Sequence, residues 1–491
     1  MPVFSLTSYP PEILSGCFAH LDTLTLVSCR ELCQNLREII DSDITLQYQI
    51  ELFRSGMIDV PSVFKNMPAI ERLDALRLFL REREGLIRNW ATKAFILEQL
   101  PIGRASGVFY DSGTFIHATV NTRKFRCSQL CDDGRGLARQ WSFTLQSERP
   151  MCYFVDAKQD LLVVADFRDV GNEEQRFLHL LSLEDGLPNP QAASPRITLS
   201  SEHSVLYAGP PQMEVLGDFL GIFLPIGGLG IADVTVYNWR TGCVITTLGF
   251  DGNLACTFID ANHILICTIG SESSQMVLKV FRLSDGEVVL ILPLPEIQNT
   301  GPSYLSARFA NGHSNTSHSN KPTRPFQTSR DTSIIVLAVE YREWLHPDID
   351  TWAFITVFRH SVILDMIRQV GHGAINVDWG GWPQSILTYQ PGVLHMDVSV
   401  HGRRMLILNR LSNKVEIYDY SRLSLKDMSI FCGYPAVPWA NPFLTIPPPN
   451  PIQDLFVDVD PIGSLVLLLD EDLLAIVRVD ATVEVCRVPV V

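Results

Sequence analysis

The sequence predicts an α+β multidomain protein, with a small helical module at the N-terminus followed by an all-β propeller of about seven blades. Two observations carry this. The apolar period changes from helical to strand-like near residue 95, and a strand ending in a polar-Gly turn recurs along the rest of the chain.

The helical part can be read in order. Pro10-Pro11-Glu12 opens a first helix, where proline is tolerated and a carboxylate meets the positive end of the dipole. Ile13, Leu14, Cys17, Phe18 and Leu21 then share one face. Asp22-Thr23 caps a second helix, whose stripe is Cys29, Leu32, Cys33, Leu36 and Ile40. Ser42-Asp43 caps a third segment, with Leu46, Ile50 and Phe53 inward and Gly56 as its stop. Pro68 opens a fourth helix carrying Leu73, Leu76 and Leu80, with a charged outer face.

Beyond residue 95 no amphipathic helix is expected. Phe177–Leu183 runs into Glu184-Asp185-Gly186, Val234–Trp239 into Arg240-Thr241-Gly242, and Met276–Leu283 into Ser284-Asp285-Gly286. Repeats of roughly 40–50 residues indicate four-stranded propeller blades. Weaker relatives are Phe125–Leu130, Ala353–Phe358, Val415–Tyr420 and Ala475–Val479. Residues 311–330 carry Phe326 as their one bulky apolar side chain, which predicts a mobile insertion. The Pro-rich stretch Tyr434–Pro451 reads as an extended connection between blades.

Composition narrows the partners. The chain has 491 residues, 46% of them hydrophobic, so a sizeable core is available. Its net charge of −15 disfavours nucleic acid and anionic membranes, since both attract basic surfaces. The eleven cysteines are scattered, and the N-terminus lacks a basic region followed by an apolar stretch. Reduced thiols and a cytoplasmic or nuclear location are expected.

The N-terminal residues resemble the F-box. Tyr9-Pro10-Pro11-Glu12-Ile13-Leu14 is followed by Cys17-Phe18, Leu21-Asp22, Leu24, Leu26 and Leu32-Cys33 before Leu36-Arg37. Tyr9 replaces the usual Leu, and the Trp common near the motif's end is absent. The continuation LQYQIELFRSGMID looks like F-box proteins of mushroom-forming fungi, many with a β-rich C-terminal half. The resemblance divides the chain into an F-box module (1–50), a helical stalk (51–95) and a propeller-like substrate domain (96–491).

It implies a substrate receptor of an SCF-type cullin-RING ubiquitin ligase. The F-box would dock on a Skp-family adaptor, and through it on a cullin, while the other domain selects a protein target. Positions matching the family's adaptor contacts are Pro10, Ile13, Leu14, Leu21, Leu32 and Cys33. A helical unit of about 40 residues cannot bury all its apolar surface, which suits a partner groove. The bland reading packs Ile13, Leu14 and Leu21 on the helices of residues 44–90.

Catalytic signatures are missing from the sequence. No P-loop, His-Glu-x-x-His site or Gly-x-Ser-x-Gly elbow occurs. Gly227-Gly228-Leu229-Gly230 precedes a strand, whereas a dinucleotide turn needs a helix there. Cys127 and Cys131 have no second pair at zinc spacing, and Cys29 and Cys33 read as core. His313 and His318 read as solvated loop, and Asp458, Asp460 and Asp470-Glu471-Asp472 as turn and edge chemistry. No metal, no cofactor and no catalysis are therefore expected. Trp344, Trp379 and Trp382, in or near loops, are the candidate target contacts, against burial between blades. The alternatives are a non-ligase F-box scaffold and, further off, a propeller hydrolase.

Overall fold

A computed structural model describes most of residues 9–487. The principal segments outside the description are 1–8, 89–94, 131–136, 200–211, 226–230, 312–325, 344–351, 378–386, 420–453 and 457–465, with several shorter connections.

Among the described residues, five helices lie in the N-terminal part: α1 (Pro11–Phe18), α2 (Thr23–Leu32), α3 (Gln34–Ser42), α4 (Ile44–Ser55) and α5 (Ala69–Arg88). The starts of α1, α2 and α4 have local causes. Pro10 supplies extended backbone before α1, and the Asp22 carboxylate accepts the Thr25 N–H at 3.0 Å. Asp43 accepts the Thr45 and Leu46 N–H groups at 2.8 and 3.2 Å. Gly56 ends α4 at φ +64°, in the left-handed region.

The expected second helix is in fact two. Cys33 adopts φ −158°, ψ 163° and divides α2 from α3. Two other expectations are corrected. Cys33 is exposed rather than core, and Phe53 faces outward. Leu14, Phe18, Leu26, Leu36, Ile40, Leu46 and Ile50 form the module's own core, with Leu21 and Cys29 packed partly against it.

The remainder is built from seven sheets among the described residues, six of four antiparallel strands and one of four extended by a fifth. Their first strands are Ala105–Asp111, Pro150–Asp156, Gln212–Leu216, Asn253–Phe258, Ser303–Asn311, Met396–His401 and Val466–Leu469. Each first strand lies against the first strand of the next sheet, and the last lies against the first, which closes a ring. Closure is also crossed by a backbone ladder: Phe95–Gln99 pairs antiparallel with Thr482–Arg487, as the outer strand of the last sheet.

Second strands are sandwiched between neighbouring sheets, which explains their unbroken apolar runs. Leu161, Val163 and Ala165 face one neighbour, while Leu162 and Val164 face the other. The recurrent turn joins third and fourth strands. Gly186, Gly242 and Gly286 have φ +74°, +74° and +73°. Each donates its N–H to the carbonyl four residues back, at 2.9, 2.8 and 2.9 Å. Six of the seven expected repeat strands are third strands of their sheets. The seventh, Ala475–Val479, falls on a second strand, Leu473–Val477.

Two more expectations are corrected in the ring. A sixth helix, α6 (His360–Val370), follows the third strand of the fifth sheet. Ile363 is buried there, with Val362, Met366 and Ile367 packed on the core shared with the fourth sheet. The chain then adds Ile375–Asn376 as a parallel fifth strand on Val288–Pro293 of that sheet. The second correction concerns the expected mobile insertion. Phe326–Thr328 is a strand, paired antiparallel with Met57–Asp59 of the helical part. Residues 312–325 and the stretch Tyr434–Pro451 lie outside the described residues.

Candidate functional site

The candidate surface is the outer side of α1 and α2. In α1, residues three or four apart share a face. Leu14 and Phe18 therefore point into the core, while Pro10, Ile13 and Cys17 lie along the exposed side. In α2, Leu26 is fully buried and Leu24, Ser28 and Leu32 form an exposed ridge.

The six sequence-derived contact residues thus separate by burial. Ile13 is 56% exposed and Leu32 72%, and Pro10 and Cys33 are also exposed. Leu21 is half-buried against the core. Leu14 is only 2% exposed and belongs to that core, as the bland reading held for it. Leu24, at 60%, is as open as Ile13 but was outside the chosen set. Its i, i+4, i+8 spacing with Ser28 and Leu32 was the available signal.

Polar contacts hold these helices in register. Arg30 on α2 grips Asp41 on α3 through two N–H groups, at 2.6 and 3.1 Å. That contact holds the Asp41 carboxyl below its ordinary range. The Ser15 hydroxyl of α1 donates to the Asp43 carboxylate at the head of α4. Burial works against ionisation of Asp43, but Ser15 and two backbone N–H groups outweigh it, so its carboxyl also titrates low. Asp22 is lowered chiefly by the Thr25 hydroxyl. The exposed ridges therefore sit on a pinned frame.

Trp344, Trp379 and Trp382 lie outside the described residues, as do the Gly227–Gly230 turn, His313, His318, Asp458, Asp460 and 470–472. The strand expected after that turn is present as Ile231–Asn238. Cys127 is buried, and burial pushes its thiol up to about 12, far from a reactive thiolate.

Residues 10–48 match the family model of the F-box domain. The chain carries an F-box domain. F-box domains generally bind Skp-family adaptors, and F-box proteins are typically non-catalytic substrate receptors of ubiquitin ligases. The match covers α1 to the first turns of α4, the same stretch that forms the pinned frame. No curated protein matches the chain.

Among solved structures, the hydrazine synthase of Kuenenia stuttgartiensis is similar at TM-score 0.37 and 12% identity, over 62% of this chain and 80% of that one. A complex of KlAtg21 with the coiled coil of AgAtg16 aligns at TM-score 0.37 and 10% identity, over 70% and 82%. The β-propeller domain of the Trilobed protease from Pyrococcus furiosus aligns at TM-score 0.32 and 10% identity, over 65% and 75%.

Proposed function

We propose that this chain is the substrate-recognition subunit of an SCF-type cullin-RING ubiquitin ligase. Pro10, Ile13, Leu32 and Cys33 would contact a Skp-family adaptor, with Leu24 added and Leu21 at the margin. Leu14 would hold α1 in place from beneath. The observation that carries the reading is the pair of large aliphatic side chains, Ile13 and Leu32, left open inside a stretch that matches the F-box. Exposed apolar groups on a small pinned unit suit burial by a partner.

The ring would hold a protein target, with Trp344, Trp379 and Trp382 as its proposed contacts. The subunit would contribute proximity: a target held beside the ubiquitin-carrying enzyme is presented at high effective concentration. No bond is made or broken by this chain in that scheme, and no cofactor is called for. The net charge of −15 favours neutral or basic target segments over nucleic acid or an anionic membrane, and the setting would be cytoplasmic or nuclear.

Titration of the purified chain with a purified Skp-family adaptor tests the docking half. Burying one Leu or Ile side chain is worth roughly 1.5–3 kcal/mol, so Ile13→Asp with Leu32→Asp should weaken binding by a factor of ten or more. Unchanged affinity in a variant that melts like the parent would overturn the assignment.

A further inference from the structure

We propose that the helical part and the ring form a single rigid body, locked by a strap that the ring sends into the helical part. The strap is Phe326–Thr328 with Ser329 and Thr332. Four contacts make the lock, and each joins segments far apart in sequence.

The first is the two-stranded sheet. Met57, Ile58 and Asp59 pair with Thr328, Gln327 and Phe326. The second is a plug. Phe326 is only 1% exposed, and its ring lies 5.1 Å from that of Phe64 and 5.7 Å from that of Phe79 on α5. The apolar interior of the helical part is thus completed by a side chain from the ring.

The third contact is a knot at Gly56. Its carbonyl accepts the Ser329 N–H at 2.7 Å and the Thr332 hydroxyl at 3.1 Å. A Cβ at Gly56 would stand 2.7 Å from both the Arg403 guanidinium and the Thr332 oxygen, so the approach requires glycine. The fourth is a cap. Arg403, in the turn between Met396–His401 and Arg404–Asn409, donates to the Arg54 carbonyl at 3.0 Å and to the Ser55 carbonyl. A guanidinium there meets the negative end of α4. The adjacent Gly402 carbonyl accepts the Ile334 N–H at 2.8 Å, which ties the strap's exit to the same turn.

A single covalent connection would let the two parts swing. A backbone ladder, an aromatic plug, a knot and a cap, spread over four chain segments, remove that freedom. The ring therefore stands at one bearing from α1 and α2. This inference does not depend on the adaptor reading, and it is measured without an adaptor.

Spin labels test it on the full chain. One label is placed by Glu38→Cys on α3 and one on the native, exposed Cys243 of the ring, with other reactive thiols replaced. Pulsed dipolar spectroscopy should give one narrow distance distribution in the parent. Phe326→Ala combined with Arg403→Ala should broaden it at least twofold. Arg403→Ala alone leaves the plug in place and should broaden it less. It serves as the informative variant if the double change does not fold. A broad distribution in the parent would overturn the proposal, and so would a parent-like width in whichever of these variants folds.

Discussion

The ring of Phe326 lies 5.1 Å from that of Phe64, at an interplanar angle of 43°, although one belongs to the β-ring and the other to the helical part. Both side chains are buried, so the β-ring supplies core to the helical part.

Removing the plug should therefore destabilise the helical part. Phe→Ala in a core costs about 3–5 kcal/mol. Phe326→Ala is expected to lower the denaturation midpoint and to separate the loss of helix from the loss of sheet. Circular dichroism and tryptophan fluorescence, followed through one urea titration, would show coincident transitions in the parent and divergent ones in the variant.

Neighbouring residues on α1 should behave oppositely. Leu14→Ala empties a buried site and is expected to cost about 2–5 kcal/mol of stability. Ile13→Ala touches an exposed site and should stay within about 0.5 kcal/mol of the parent. Thermal melts of the two variants, beside adaptor titrations, should find the binding loss with Ile13 and the stability loss with Leu14.

The three equivalent turn glycines should not cost the same. All have φ near +74°, where an L side chain carries roughly 1–2 kcal/mol of strain. A Cβ at Gly242 meets open space, but one at Gly186 would collide with the Phe143 ring. Gly186→Ala should thus be clearly more destabilising than Gly242→Ala, as read by melting temperature. Equal losses would show that Phe143 yields freely.

Asp43 gives the helical module an acid limit. Its carboxyl titrates below the ordinary value of 3.8 in the folded chain, so the folded state binds its proton less readily than the unfolded one. The stabilisation is complete above the unfolded value and fades as pH falls through the lower folded value. Asp43→Asn should weaken the module at neutral pH and flatten its acid dependence below the ordinary carboxylate value of 3.8. Parallel acid titrations followed by circular dichroism would measure it.

Much of this architecture is legible in the residues because its causes are local. Gly56 ends α4, Asp22 and Asp43 start helices, and the polar-Gly turns mark the third strands, each through a neighbour within a few positions. Cys33 was opaque for the opposite reason. It breaks the chain between α2 and α3 without a glycine, a proline or a capping side chain.

The α6 helix hid behind its setting. Val362, Ile363, Met366 and Ile367 have helical spacing, but they follow directly on a strand of similar apolar character. The strand at Phe326 needed its partner in space, since three residues beside a polar stretch carry no period. The motif led to residues that lie on α1 and α2. It could not separate Ile13 from Leu14, because recurrence along a helix does not say which edge of the stripe faces inward.

The pairing of Phe95–Gln99 with Thr482–Arg487 has a consequence for biosynthesis. The strand that completes the last sheet is made early, but its mate is made only after all the other sheets. Until then the nascent ring is a gapped arc with two bare edges. A chain cut short before Thr482 would therefore keep its helical module but could not shut the arc, a product suited to capture by chaperones.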